Sequence, residues 1–206
     1  RRRPTRAVRS SPLGRRFILW TQPLADAIVQ RFGAPYYHVY RPDLIALLAD
    51  AVPSAVVHLG HRALEVTDAD DHVDVTFDNG AVARADVLIG ADGIHSTVRE
   101  RLLGPESPRF SGSIAYRGLA ASDRLAESGV PHAGSWLGPQ RHFVHYTIAA
   151  GRCMNFVGVV PGGDWRVESW SAEGKVADAL AEFDGWHPNV RTVIDAWADR
   201  TTVLSA

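Results

Sequence analysis

At 206 residues the chain has room for one sizeable domain or parts of two. Its 46% hydrophobic and 22% charged residues with a net charge of −1 describe an ordinary globular protein, and no apolar run approaches the roughly 20 residues of a membrane span. The lone cysteine, Cys153, excludes an internal disulfide and any multi-cysteine metal site, and it fits a reducing, cytoplasmic setting.

Near-neutrality hides an asymmetry. The first sixteen residues, RRRPTRAVRSSPLGRR, carry seven arginines, and no acid precedes Asp26. A nucleic-acid arm and a targeting peptide are two functional readings of such a stretch. The segment has no apolar targeting core and no aromatic before Phe17. We therefore read it as a solvated segment, with neither nucleic acid nor membrane as a partner.

Phe17 to Trp20 reads as a short strand, and Pro23 to Phe32 as a loop or weak helix. Tyr36 to Tyr40 is aromatic and β-branched, hence extended. Pro42 suits a first helical turn, where its missing N–H costs nothing. Leu44, Leu47, Leu48 and Ala51 recur at helical spacing until Pro53. Beyond Ala55 the runs VVHL, ALEVT and VDVTF are β-like, and Asp78-Asn79-Gly80 is a hairpin-type turn, so residues 55–85 predict an antiparallel meander. The His58 to His61 stretch reads as a strand edge, and no metal-ligand spacing occurs. DVLIG, residues 86–90, is an unbroken apolar run of the kind expected in a parallel strand buried on both faces. STVRERLLG then predicts a helix with Gly104 near its C-cap.

After Pro105 the runs SIAYRGLA, HFVHYTIA and CMNFVGVV are strand-like. Helices come next at 175–183 and 189–198, the second with Val190, Val193, Ile194 and Trp197 on one stripe. The reading is a mixed α/β chain divided near residues 105–111, with 1–107 as one region and 108–206 as another.

Asp92, Gly93, Ser96 and Arg99 form the most suggestive cluster. A strand that ends in a glycine turn and opens into a helix presents free backbone N–H groups to an anion. Gly93 permits close approach, Ser96 can cap or donate, and Arg99 can reach a phosphate with a fork of donors. An ordinary turn, cap and ion pair would use the same residue types.

The register of the whole segment DVLIGADGIHSTVR resembles the Asp-Gly signature of FAD-dependent aromatic-ring monooxygenases, the para-hydroxybenzoate hydroxylase and salicylate hydroxylase group. The resemblance implies contact of this turn with FAD and with the nicotinamide coenzyme. YYHVYRPDLIALLADAV resembles the family's arginine and Asp-Leu segment, which makes Arg41 an FAD contact and places Leu64 on the strand passing the adenine. SWLGPQRHFVHYTIAAGRCMNFVGVV resembles the middle sheet of the salicylate-type hydroxylases, whose substrate-side His and Tyr match His142 and Tyr146. Residues four apart in a strand share a face, with Cα atoms about 13 Å apart; His145 falls on the other face.

The implied fold is a partial Rossmann-like FAD-binding region with a β-meander, joined to a substrate-domain sheet with flanking helices. The implied reaction is NAD(P)H- and O2-dependent hydroxylation of a small aromatic ring, as in aromatic-compound catabolism, with His142 and Tyr146 assisting proton removal from a ring hydroxyl. The chain has no G-x-G-x-x-G, and its Gly163-Asp164 is followed by Trp165 and Arg166 rather than the family's Ala-Ala-His. The resemblance thus implies an internal fragment of a protein nearly twice as long, one that by itself holds FAD weakly or not at all and exposes apolar surface that favours aggregation or oligomers. A non-catalytic remnant or interaction module is the alternative.

Overall fold

A computed structural model describes residues 5–10, 16–24, 26–162, 172–197 and 201–205. The chain forms two compact units, one of residues 1–44 with 110–206 and one of residues 45–109. The first 44 residues therefore belong to the same unit as the second half of the chain, whereas the sequence pattern groups them with residues 45–107.

The larger unit is built on an eight-stranded sheet. Its strands are β1 (Thr5–Ser10), β2 (Arg16–Gln22), β6 (Ser113–Ala121), β7 (Ala133–Gly138), β8 (Arg141–Ile148), β9 (Cys153–Pro161), β10 (Ala172–Gly174) and β11 (Thr201–Ser205). They lie in the order β10-β11-β6-β9-β8-β7-β1-β2. The pairings are antiparallel except for β1 on β7, which is parallel. Within the basic arm, Thr5–Ser10 is a strand hydrogen-bonded between β2 and β7, which the composition does not announce. Ladder bonds come from the backbone, so arginine-rich composition does not forbid a strand.

Helix α1 (Asp26–Phe32) occupies the stretch read as a loop or weak helix, and α2 (Arg41–Asp50) falls where the spacing places it, beginning at the Arg41-Pro42 pair. The division between the units falls within α2.

Alternation along the central strands sorts their side chains. Tyr116, Ala120, Phe143, His145, Met154, Phe156 and Val160 are buried, and α4 (Val176–Glu182) and α5 (Pro188–Asp195) with the residue after α4 supply the covering side chains Ala179, Phe183, Val190, Val193 and Ile194. The predicted stripe of α5 is this buried face, and Trp197 continues it. Aromatic rings dominate the contact: Phe143 stacks on Phe156 at 5.2 Å, Phe183 meets Phe143 edge-on at 5.3 Å, and Trp197 meets Phe156 edge-on at 4.8 Å. Arg141 pins the end of α4, its Nη1 donating to the Glu182 carbonyl at 2.6 Å and its Nη2 pairing with the Glu182 carboxylate at 3.0 Å. Gly163-Asp164 lies outside the described residues.

The smaller unit is an antiparallel meander of β3 (Ala63–Asp68), β4 (Val73–Phe77) and β5 (Val82–Ala85), with α3 (Thr97–Leu103) set on β3. The Asn79-Gly80 turn joins β4 to β5, with Gly80 at φ +81° and the Asn79 side chain accepting from Ala81 N at 2.9 Å. Val66 and Val75, opposite each other in register, are its buried pair. Arg101 Nε donates to the Val66 carbonyl at 2.8 Å and ties α3 to β3.

Two strand expectations fail here. Residues 54–56 form a single 3-10 turn and 57–62 an irregular loop, so VVHL is not a strand. DVLIG is not one either: residues 87–90 are irregular, and Val87 and Ile89 are 73% and 84% exposed. A parallel strand needs neighbours reached by crossover connections, and the described pairings of this unit are all antiparallel.

The ring packing makes a glycine in β9 indispensable. A Cβ on Gly158 would lie 2.6 Å from Phe183 Cε2 and 3.2 Å from Phe143 Cδ2, both inside the core. Gly158→Ala should destabilise the larger unit by about 1–3 kcal/mol, read as a lower urea midpoint with an unchanged slope; an unaltered midpoint would show that the rings yield freely.

Candidate active site

The two faces of the eight-stranded sheet differ in what covers them. One carries the aromatic core under α4 and α5. On β8 the opposite face bears His142, Val144 and Tyr146, exposed or half-buried. Cross-strand register extends that face: His142 is opposite Leu137 on β7 and Val159 on β9, and Tyr146 is opposite Ala133 and Asn155. Val144, Val157 and Val159 lie between and beside them, half-buried. The result is an apolar strip with an imidazole at one end and a phenol and an amide at the other.

A residue without any sequence signal stands against this strip. The imidazole of His38 stacks on the Tyr146 ring, centroids 4.3 Å apart and planes 18° apart. His38 comes from the irregular segment before α2. No local motif announces such a contact, because it joins residues 108 positions apart in sequence.

His145 lies on the other face of β8, as expected, and that face is the core. It is fully buried, accepts from Trp136 Nε1 through Nδ1 at 3.1 Å, and its Nε2 donates to the Pro131 carbonyl at 3.1 Å. Burial pushes its pKa down to about 4, against a smaller upward effect of the Pro131 carbonyl. It is a neutral structural histidine at pH 7.

In the smaller unit the Asp92-Gly93 turn is closed upon itself. The Asp92 carboxylate accepts from Ser96 Oγ, from Thr97 N at 2.7 Å and from Val98 N at 3.3 Å. Ser96 caps α3 by accepting from Arg99 N at 3.0 Å, and Glu100 N donates to the Ser96 carbonyl at 3.1 Å. The N–H groups of Thr97, Val98, Arg99 and Glu100 are therefore all bonded within the chain. This corrects the expectation of free donors awaiting an anion: Asp92 is itself the anion at that helix end. Arg99 turns back as well, donating to the carbonyls of Gly93 and Ile94 and lying 3.6 Å from Glu106. Hydrogen bonds, first from Ser96 and then from the helix backbone, hold the Asp92 carboxyl below the usual carboxylate range against a desolvation effect of opposite sign.

The fit of this turn to a dinucleotide is partial. Gly93 has φ +84° with open space where a Cβ would stand, so backbone approach is unobstructed. Leu64 is exposed on β3, and Arg41 is exposed in the first turn of α2. Among the described residues no group of His, Cys, Asp and Glu is arranged to hold a metal ion.

No family model matches the chain. It is 40% identical over 174 residues to a 3-amino-4-hydroxybenzoate 2-monooxygenase of Streptomyces platensis, covering 84% of this chain and 44% of that protein. It is 33% identical to the 6-hydroxynicotinate 3-monooxygenase of Pseudomonas fluorescens, covering 87% of this chain and 47% of that protein. Among solved structures it resembles Klebsiella pneumoniae HpxO complexed with FAD and uric acid, with a TM-score of 0.78 and 26% identity over 99% of this chain and 51% of that one. A salicylate hydroxylase substrate complex aligns with a TM-score of 0.67 and 25% identity, covering 80% of this chain and 45% of that one. The chain spans a little under half the length of the curated relatives it matches.

The closed Asp92 turn carries a pH signature. A depressed folded pKa means stability that is present above the unfolded carboxylate value and is lost as pH falls through the folded one. Asp92→Ala should cost the smaller unit about 0.5–2 kcal/mol near neutrality, and the difference from the unaltered chain should begin to shrink below about pH 4 and go on shrinking as pH falls through the lowered folded value. Urea unfolding at pH 7 and pH 3 checks this; an equal difference at both would contradict the capping role.

Sequence identity over most of the chain and the matched fold agree: the chain is similar to a part of the FAD-dependent aromatic-ring monooxygenases.

Proposed function

We propose that this chain provides the ring-binding sheet and the Asp-Gly turn of an aromatic hydroxylase that uses FAD, NAD(P)H and O2. What carries the reading is the placement of His142 and Tyr146 on one face of β8, flanked by valines, opposite the face that α4 and α5 cover. A planar ring the size of a benzoate fits a strip whose polar groups stand at its two ends. His142, with two ring nitrogens that can each donate or accept, exchanges a proton with a ring hydroxyl. Tyr146 hydrogen-bonds the ring substituent nearest it, with Asn155 beside it in register.

FAD, when bound, activates O2 for transfer to the ring. Of this chain's residues, Arg41 would meet the cofactor through its guanidinium and Leu64 through its backbone. The Asp92-Gly93 turn would offer open backbone at Gly93, with Asp92, Ser96 and Arg99 keeping that turn in shape. The aromatic acids for which the curated relatives are named, a hydroxynicotinate and an aminohydroxybenzoate, support a small aromatic acid as the substrate class. We divide the roles as flavin contact in residues 1–107 and ring binding in residues 108–206.

Isothermal titration of the purified chain with salicylate, 3-hydroxybenzoate and 6-hydroxynicotinate tests this reading. At least one should bind saturably, and His142→Ala should weaken it roughly tenfold, the worth of one hydrogen bond to a charged group. No saturable binding across the panel, or affinity indifferent to His142, would overturn it.

A further inference from the structure

The near-parallel rings of His38 and Tyr146 describe a particular kind of contact. At 18° between planes and 4.3 Å between centroids, the imidazole lies over the phenol ring and its nitrogens point along its own plane. The contact is a stack and not a hydrogen bond. Tyr36 closes on His38 from the side, centroids 5.0 Å apart and planes 86° apart. His38 is half-buried, and burial lowers its pKa, so the ring over Tyr146 is an uncharged one at neutral pH. The segment that carries His38 is held at both ends: Gly33 N donates to the Val29 carbonyl at 2.8 Å, and Leu44 N donates to the Tyr40 carbonyl at 3.1 Å. A short stretch anchored between two helices thus places one aromatic ring flat on another.

We propose that His38 is a positioning residue for Tyr146, its stacked ring fixing the phenol against rotation so that the hydroxyl meets a bound ring acid in one orientation. The inference rests on the reading above that the β8 face takes an aromatic acid. It adds a residue outside the His142–Tyr146 pair, acting through Tyr146. Stacking suits such a role because it opposes rotation of the ring about its Cβ–Cγ bond while leaving the hydroxyl free to bond. An aromatic pair is worth enough to shift binding by about 2- to 12-fold.

The 206-residue chain labelled with 3-fluorotyrosine has five tyrosines to resolve, and Tyr146→Phe identifies the Tyr146 fluorine signal. His38→Ala should move and sharpen that signal as the ring gains freedom, and His38→Phe should restore a restricted ring. Titration with the same three ring acids then reads the role. His38→Ala should weaken binding about 3- to 10-fold, His38→Phe should recover it to within about twofold, and His38→Ala should have no further effect in a Tyr146→Ala background. Equal losses in both backgrounds would mean that His38 touches the ligand directly, and unchanged affinity would mean that the stack is idle; either overturns the proposal. If the unaltered chain binds none of the acids, the ring-site reading fails first and this inference with it. That outcome is distinct from a chain that binds them and ignores His38.

Discussion

Strand β8 alternates, and its two faces are not equivalent. Phe143 and His145 point into the layer that α4 and α5 close. His142, Val144 and Tyr146 must then point the other way, because a pleated strand leaves no third direction. The aromatic core sets the register of this strand: a slip by one residue would drive His142 and Tyr146 into the core and expose Phe143. The candidate ring site is in this sense a by-product of core packing. His145 shows the same rule from inside, where Trp136 and the Pro131 carbonyl satisfy both of its nitrogens and burial keeps it neutral.

The smaller unit contributes by a different device. Its Asp-Gly turn is closed by its own side chains, since Asp92 and Ser96 accept the N–H groups that open α3. Arg99 is drawn back onto the Gly93 and Ile94 carbonyls. A turn so closed offers a partner its shape and its exposed backbone, and it offers no free helix end. The same unit exposes large apolar side chains at Leu47, Leu59, Val87, Ile89 and Leu103.

Much of this was legible in the residues. The α5 stripe follows from 3.6-residue spacing, the β3-β4-β5 meander from period two and the Asn-Gly turn, and the two-faced β8 from its alternation. The features that sequence missed have common causes. The β1 strand is arginine-rich, and its pairing is a matter of backbone bonds that composition does not reveal. DVLIG has the apolar run of a buried strand, but a run does not supply neighbours, and residues 87–90 remain irregular. The Asp92 carboxylate has the look of a group for a ligand, while proximity makes it the acceptor for the Thr97 and Val98 N–H groups beside the Ser96 cap. His38 carries no signal, because its partner Tyr146 is distant in sequence and meets it only in the folded chain.

We propose that an aromatic acid lies on the face of β8 opposite α4 and α5, where His38 stands against Tyr146. Amide and side-chain NMR shifts of the chain, recorded while 6-hydroxynicotinate is added, test it most directly. Shifts should concentrate at His142, Val144, Tyr146 and Asn155, with Phe143, His145 and the α5 residues little changed. Shifts centred on α4 and α5, or spread evenly over both units, would contradict it.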